Sequence, residues 1–408
     1  MFRRKAKSAV ALGLLGAMKT ESSMRLFVKT AAGLGLIPAK LEPAFSELYT
    51  NYKEAVLGSG VEGKDAAEVA ATLNALACRV LKEYIDPYTF PSYHERITAP
   101  FDYYGLGQRY TSSLIDISNS YLGHEDRFAA IQELVEAGDN VILLANHQTE
   151  ADPGVWATLL EQKFPELAEN LNYVAGDRVV SDALCKPFSM GRNLFTIFSK
   201  KHMAYQDAST KKAQMKQNMT TVRTMQKMLN EGGNVIWIAP SGGRDRPDAS
   251  GVFQVADFDP ASVELMRKLG SKAKKKTHLF PLAMFSHAIM PPPPALEKDV
   301  GEQRLTFFSG CAISVVEEMD EEAVLAGVAE EDRLQVFADA VQAVVTEEYK
   351  VLEEMVETRA ADRGAVAAPY SMCTAGAAPG GAAPGGVAPE LAGTGLSDKS
   401  NDAAWNSW

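Results

Sequence analysis

"NHQTEADP", residues 146–153, sets a histidine, His147, five positions before an aspartate, Asp152. An imidazole held by a carboxylate can take a proton from an alcohol near neutral pH, because the carboxylate fixes the ring's tautomer and tilt. The same residues have a plainer reading. Asp152 precedes Pro153, a residue suited to a first helical turn, so it can serve as a helix N-cap and leave His147 as a loop histidine bonded to backbone. The pair alone leaves both readings open. Two basic clusters bear on the choice. In "PSGGRDRP" (240–247), Arg244 and Arg246 are two residues apart, so an extended chain points both guanidinium groups one way and Asp245 the other. "KKH" supplies Lys200, Lys201 and His202. Each cluster by itself fits a solvated surface; together with the His/Asp pair they describe an anion pocket beside a general base, suited to a small phosphorylated alcohol. Two rival nucleophiles are weak. Ser241 lies in "APSGG", which lacks the full G-x-S-x-G elbow, and Cys311 in "SGCAIS" reads as a small buried residue. Direct transfer assisted by His147 is therefore preferred to a covalent intermediate.

These residues need elements to position them. "VILLA" (141–145), "LNYVAG" (171–176), "LFTIFS" (194–199), "NVIWIA" (234–239), "HLFPLAMF" (278–285) and "RLTFFSG" (304–310) read as strands, mostly continuous apolar runs of the kind buried on both faces. Met215, Met219, Val222, Met225 and Leu229 mark one face of a helix and are read as core packing. Strands separated by helices imply an α/β sheet, whose ligands gather beyond the carboxyl ends of the strands. All three clusters fall at such strand ends. Upstream, Leu41, Phe45, Leu48, Tyr52 and Val56, then Val69, Leu73, Leu76, Val80 and Tyr84, fall at helical spacing on either side of "GSGVEG", which predicts a helical hairpin. The stretch 86–105, with three prolines, reads as a linker or a strap across the next domain. The expected organisation is a basic leader (1–20), a small helical domain (21–95), a larger α/β domain with a mixed, mostly buried sheet flanked by helices (96–358), and a disordered tail (359–408) rich in Ala, Pro and Gly.

Composition excludes several classes. No run of about 18 apolar residues occurs, so no transmembrane segment is expected. Cys78, Cys185, Cys311 and Cys373 are far apart and lack C-x-x-C spacing, which argues against a metal site or a disulfide framework. A formal charge of −11 disfavours nucleic acid as a partner. Charge is nevertheless concentrated locally. Residues 199–216 carry Lys200, Lys201, Lys211, Lys212 and Lys216 against Asp207 alone, and residues 267–276 carry Arg267, Lys268, Lys272, Lys274, Lys275 and Lys276 with no acid. The first 19 residues hold five basic side chains and a short apolar run, which fits a transit-peptide remnant, a short secretory signal or a basic first helix.

"NHQTEADP", "VAGDRVVSDALCKPFSMGRNL", "SKKHM", "IWIAPSGGRDRP" and "IMPPPP", in this order, closely resemble the soluble plastid glycerol-3-phosphate acyltransferases, over roughly Leu36 to Glu354. The His-x4-Asp element alone is shared by many glycerolipid acyltransferases; the full set is specific. "SGG" stands where membrane-bound relatives usually carry a Glu-Gly-Thr-type element. The resemblance implies transfer of a fatty acyl group, mainly from acyl carrier protein, to the first hydroxyl of glycerol 3-phosphate, giving lysophosphatidate in the plastid stroma. Acyl-CoA is the alternative donor, and no cofactor is implied. By motif match, His147 and Asp152 correspond to the catalytic pair, and Lys201, His202, Arg244 and Arg246 to the phosphate-binding residues. Backbone amides at the start of the helix after Asp152 are candidates for the oxyanion. The leader is shorter than a typical plant transit peptide, and the Ala/Pro/Gly tail is not a feature the resemblance leads one to expect. Competing functions are a phosphate-ester hydrolase using the same basic rim with water, and a lipid- or carrier-binding module in which the His/Asp pair is structural.

Overall fold

The structure, a computed structural model, describes residues 20–198, 203, 206–293 and 304–361. The leader up to residue 19, the tail from 362 onward, and Lys200, Lys201 and His202 lie outside the described residues.

Three helices come first: α1 (Glu21–Gly33), α2 (Leu41–Gly58) and α3 (Ala66–Ile85). α3 begins where the Asp65 carboxylate accepts from the amides of Ala67 and Glu68, satisfying donors that an uncapped first turn leaves open. The hairpin residues expected inside are buried from Leu41 to Val80, and Tyr84 is partly so. Tyr52 stacks on Tyr110 at 4.5 Å between ring centroids, and its hydroxyl donates to the Tyr110 carbonyl, which joins the helices to the remainder of the chain.

The remainder is built on an eight-stranded mixed sheet in the order Tyr93–His94 (β1), Asn193–Ile197 (β5), Asn172–Gly176 (β4), Val235–Ile238 (β6), Asn140–Ala145 (β3), Thr277–Phe285 (β9), Ala312–Val315 (β10) and Tyr121–Gly123 (β2), with a separate antiparallel pair of Arg246–Pro247 (β7) and Phe253–Gln254 (β8). Five central strands, β5 (Asn193–Ile197), β4 (Asn172–Gly176), β6 (Val235–Ile238), β3 (Asn140–Ala145) and β9 (Thr277–Phe285), run parallel, so their carboxyl ends form one rim. β10 (Ala312–Val315) is antiparallel to β9, and β2 (Tyr121–Gly123) is parallel to β10. β1 (Tyr93–His94) pairs antiparallel with β5, so the proline-rich stretch is a strap that closes one edge. Successive residues of a strand face opposite sides. Accordingly Val141, Leu143, Val235, Trp237, Leu282 and Met284 join the core that also contains the N-terminal helices. Ile142, Leu144, Ile236, Ala283 and Phe285 join a second core. That second face is covered by α10 (Ala208–Glu231), α11 (Pro260–Ser271) and α13 (Arg333–Ala361). Between the strands lie α4 (Tyr103–Ser112), α5 (Glu125–Glu136), α6 (Asp152–Leu160), α7 (Pro165–Asn170), α8 (Arg178–Ser181) and α9 (Lys186–Met190), with α12 (Glu321–Val324) preceding α13.

The structure corrects two expectations. Residues 304–310 do not form a ladder strand. Their backbone bonds go to Ile289, Leu114 and Asp116, so the segment crosses the end of the sheet, and the strand is the buried run 312–315 that follows. The methionine face of α10 is only half core. Met225 and Leu229 are fully buried, but Met215 and Met219 are 50% and 54% exposed. A 24-residue helix is roughly 36 Å long at about 1.5 Å per residue, whereas the five-residue β5 beneath it ends at Ile197. Asn218 bonds the backbone N–H and C=O of Phe198, just past that strand, so the helical turns before Asn218 overhang the sheet. At the other end, α13 carries helix to Ala361, into the beginning of the segment expected to be a tail.

Candidate active site

β3, β6 and β9 end side by side, and the turns after them meet. Asn146, immediately after β3, is fully buried and clamps all three turns: its Nδ2 donates to Asp245 Oδ2 at 2.9 Å and to the Met284 carbonyl, and its Oδ1 accepts from the Met284 amide. The Asp245 amide donates to the His147 carbonyl at 2.5 Å. The turn that carries Arg244 and Arg246 is thereby bonded directly to the residue expected to act as base. Asp245 points inward, as the alternation of an extended chain requires. Burial pushes its carboxyl up to about 6 against the bonds it accepts from the Ala256 amide and Asn146.

His147 Nδ1 lies 2.7 Å from Asp152 Oδ2. Asp152 is buried, and its two oxygens also accept from the amides of Gln148 (2.9 Å) and Thr149 (3.3 Å) and from Ser286 Oγ (2.5 Å). The helix-cap reading therefore fails. Asp152 is the first residue of α6, whose N-cap is Ala151, and its carboxylate faces back toward the turn. In the neutral ring, a carboxylate acceptor at Nδ1 favours the tautomer with its proton there and the lone pair on Nε2. Among the described residues nothing bonds to Nε2, and the His147 side chain is 25% exposed. Trp237 sets an apolar edge against the ring, with centroids 5.6 Å apart. α6 itself is fixed by Trp156, whose indole N–H donates to the Leu167 carbonyl, and by Gly154, where a Cβ would collide with the Thr111 side chain.

The expected oxyanion amides are not available. Asp152 N bonds Thr149 O, Gly154 N and Val155 N both bond Ala151 O, and Pro153 has no N–H. Of the basic residues, Arg244 lies with its Nη1 3.8 Å from Glu150 Oε1, and Arg246 donates to the carbonyls of Pro293 and Arg244. The structure thus brings His147, Asp152, Arg244 and Arg246 to one rim, while Lys201 and His202 fall outside the described residues. Ser241 is bonded to Gly243 O inside its turn. Cys311 is fully buried, with its thiol pushed up by burial, as expected of a packing residue. Among the described residues no three His, Cys, Asp or Glu side chains gather to hold a metal ion.

Sequence reasoning missed four residues here. Ser286 and Gln148 hold the dyad and the start of the next turn, Gln148 Oε1 accepting from the amides of Ser286 and His287. Glu150 and Arg304 form a buried ion pair beside Arg244. Gln148 and Glu150 lie within the octapeptide already singled out. For Ser286 and Arg304 no local signal exists, since only the fold brings them there. His287 also borders the site, stacked on Phe253, and burial pushes it down to about 4.

Two family models match the chain: Acyltransferase over residues 128–285, which contains both site turns, and Glycerol-3-phosphate acyltransferase N-terminal over residues 13–88. The chloroplastic glycerol-3-phosphate acyltransferase of Arabidopsis thaliana is 40% identical over 343 residues, covering 84% of this chain and 74% of that protein. The Spinacia oleracea protein of the same description is 41% identical over 331 residues, covering 81% and 70%. The solved 1-acyl-sn-glycerophosphate acyltransferase of Thermotoga maritima is 16% identical, with a TM-score of 0.36 over 85% of this chain and 99% of that one, a likeness too loose to argue from.

Proposed function

The chain belongs to the chloroplastic glycerol-3-phosphate acyltransferase family, and on that premise we propose that it transfers a fatty acyl group from acyl carrier protein to the first hydroxyl of glycerol 3-phosphate in one step, with His147 as base. The hydroxyl oxygen attacks the thioester carbonyl as His147 Nε2 takes its proton. The tetrahedral adduct collapses to the ester, and the departing thiolate takes the proton back from the imidazole. Asp152 keeps the ring oriented through both transfers. Arg244 and Arg246, joined by Lys201 and His202, hold the phosphate and so fix the hydroxyl beside the base. The products are lysophosphatidate and the free thiol. The chloroplastic relatives support a place in the plastid, and the stroma is the finer reading. No described helix is long and apolar enough to cross a membrane.

The observation that carries this reading is the bond from the Asp245 amide to the His147 carbonyl, which seats the arginine turn on the base. The test mixes purified protein and glycerol 3-phosphate with either acyl carrier thioester or acyl-CoA and measures lysophosphatidate. Product is expected with both donors and a higher kcat/KM with the carrier. Equal values would remove the carrier preference. Phosphate release without a thioester would instead identify a hydrolase.

A further inference from the structure

Glu150 sits between His147 and Asp152 in the sequence, yet it bonds to neither. Its carboxylate is paired with Arg304, whose Nε lies 2.8 Å from Oε2 and whose Nη2 lies 3.4 Å from Oε1. Arg304 is itself anchored from behind: its Nη2 also donates to Asp182 Oδ2 at 3.1 Å and to Cys185 Sγ at 3.1 Å. All four side chains are nearly or wholly buried. Glu150 Oε1 is shared with Arg244, whose Nη1 lies 3.8 Å from it. Burial works against the charge on Glu150, but the charges of Arg304 and Arg244 overcome it and hold the carboxyl down to about 2. A carboxylate beside a phosphate pocket is an electrostatic cost unless something else requires it there. A long arginine on a turn has a complementary difficulty, since its side chain loses rotamer freedom when it is held in one place.

From this geometry we infer that Glu150, locked by Arg304, is the positioning residue for Arg244, holding its guanidinium toward the acceptor's phosphate. The inference rests on the reading that Arg244 binds that phosphate. Arg304 takes the short contacts and most of the neutralisation of Glu150. The longer contact to Arg244 then orients that guanidinium. Asp182 and Cys185 fix Arg304 and hence the whole chain of contacts.

The test is Glu150→Gln, Arg244→Ala and the double variant, each assayed for kcat and KM with glycerol 3-phosphate and with glycerol, which lacks the phosphate. Glu150→Gln is expected to raise KM for glycerol 3-phosphate about ten- to a hundredfold with a smaller change in kcat, the scale of a misplaced binding group. It should leave the glycerol reaction alone and add nothing to Arg244→Ala in the double variant. Should Glu150→Gln melt too early to assay, Arg304→Lys supplies the same readout, because it keeps a cation but loses the Nε contact. An equal loss with both acceptors, additive effects, or an unchanged KM would overturn the positioning role. A wild-type KM in Arg244→Ala would sink the phosphate reading itself, and this inference with it.

Discussion

Two histidines of this protein lie against carboxylates at nearly equal distances, at opposite ends of the same sheet. His147, just past the end of β3, has Nδ1 2.7 Å from Asp152. His278, the second residue of β9 and level with Val141 at the start of β3, has Nδ1 2.8 Å from Glu318. The resemblance stops there. His278 Nε2 is also engaged, 3.3 Å from Asp139 Oδ2, and its side chain is 3% exposed. Both nitrogens are used within the fold, so this ring can only cross-link. His147 is held by one nitrogen, a quarter exposed, and backed by a turn bearing two arginines. A histidine–carboxylate contact therefore does not by itself qualify a ring as a candidate base; His147 differs in that nothing among the described residues bonds its second nitrogen and it lies at the rim, partly exposed.

The sharpest way to break the comparison is to remove each ring. His147→Ala is expected to lower turnover by roughly 10²- to 10⁴-fold, the usual contribution of a positioned base, while calorimetry still detects glycerol 3-phosphate binding. His278→Gln is expected to cost stability, about 1–3 kcal/mol for the lost charge-assisted contacts, with turnover per folded molecule unchanged. Wild-type turnover in the first variant would remove His147 from the mechanism. A turnover loss in the second that thermal melting does not account for would erase the distinction between the two ends.

A smaller effect tests the rim itself. Arg246→Ala removes a guanidinium that the backbone carbonyls of Pro293 and Arg244 now hold in place. Loss of a charge-assisted contact to a dianion costs about 1.5–3 kcal/mol, so KM for glycerol 3-phosphate should rise roughly 10- to 200-fold. Unchanged kinetics with the phosphorylated acceptor would place the phosphate elsewhere.

What could be read in advance follows from how local each feature is. His147, Asp152, Arg244 and Arg246 were legible because each pair lies in one short turn after a strand, and buried parallel strands announce themselves as continuous apolar runs. Glu150 was visible in the same octapeptide, but its partner Arg304 lies 154 positions away in a segment whose alternation imitates a strand. Thr306 is buried between exposed Leu305 and Phe307, a period of two that says nothing about where the backbone bonds go. The methionines of α10 failed for a similar reason. Periodicity identifies the apolar side of a helix, but not where the sheet beneath it ends, and Met215 and Met219 lie beyond that edge. That the Asp152 carboxylate faces the His147 turn instead of capping a helix is visible only through Ser286, Gln148 and Thr149, whose donors converge on it from two turns.

The same two ends separate the lysine clusters, which look equivalent in the sequence. Lys272, Lys274, Lys275 and Lys276 immediately precede β9, at the end that holds His278, and the Lys274 amide bonds Asn230 near the last turn of α10. Lys211, Lys212 and Lys216 lie in the first turns of α10, the part that overhangs the rim, beside the exposed Met215 and Met219. β9 has nine residues, so the ends are roughly 25–30 Å apart at about 3.3 Å per residue. On the proposal that an acidic carrier delivers the thioester to His147, the carrier has reason to dock at the rim and none to dock at the far end. Reversing Lys211, Lys212 and Lys216 to Glu is therefore expected to lower kcat/KM for the carrier thioester roughly tenfold at low ionic strength. The difference from wild type should shrink as salt rises through about 0.1–0.5 M and the Debye length falls below about 10 Å. Acyl-CoA, whose charge is small and local, should respond less, and the same reversal at Lys272, Lys274, Lys275 and Lys276 should do little with either donor. Equal losses from both sets would mean that net charge, not position, draws the carrier in. No loss from the first set would remove α10 as its docking face and leave the chemistry at His147 untouched.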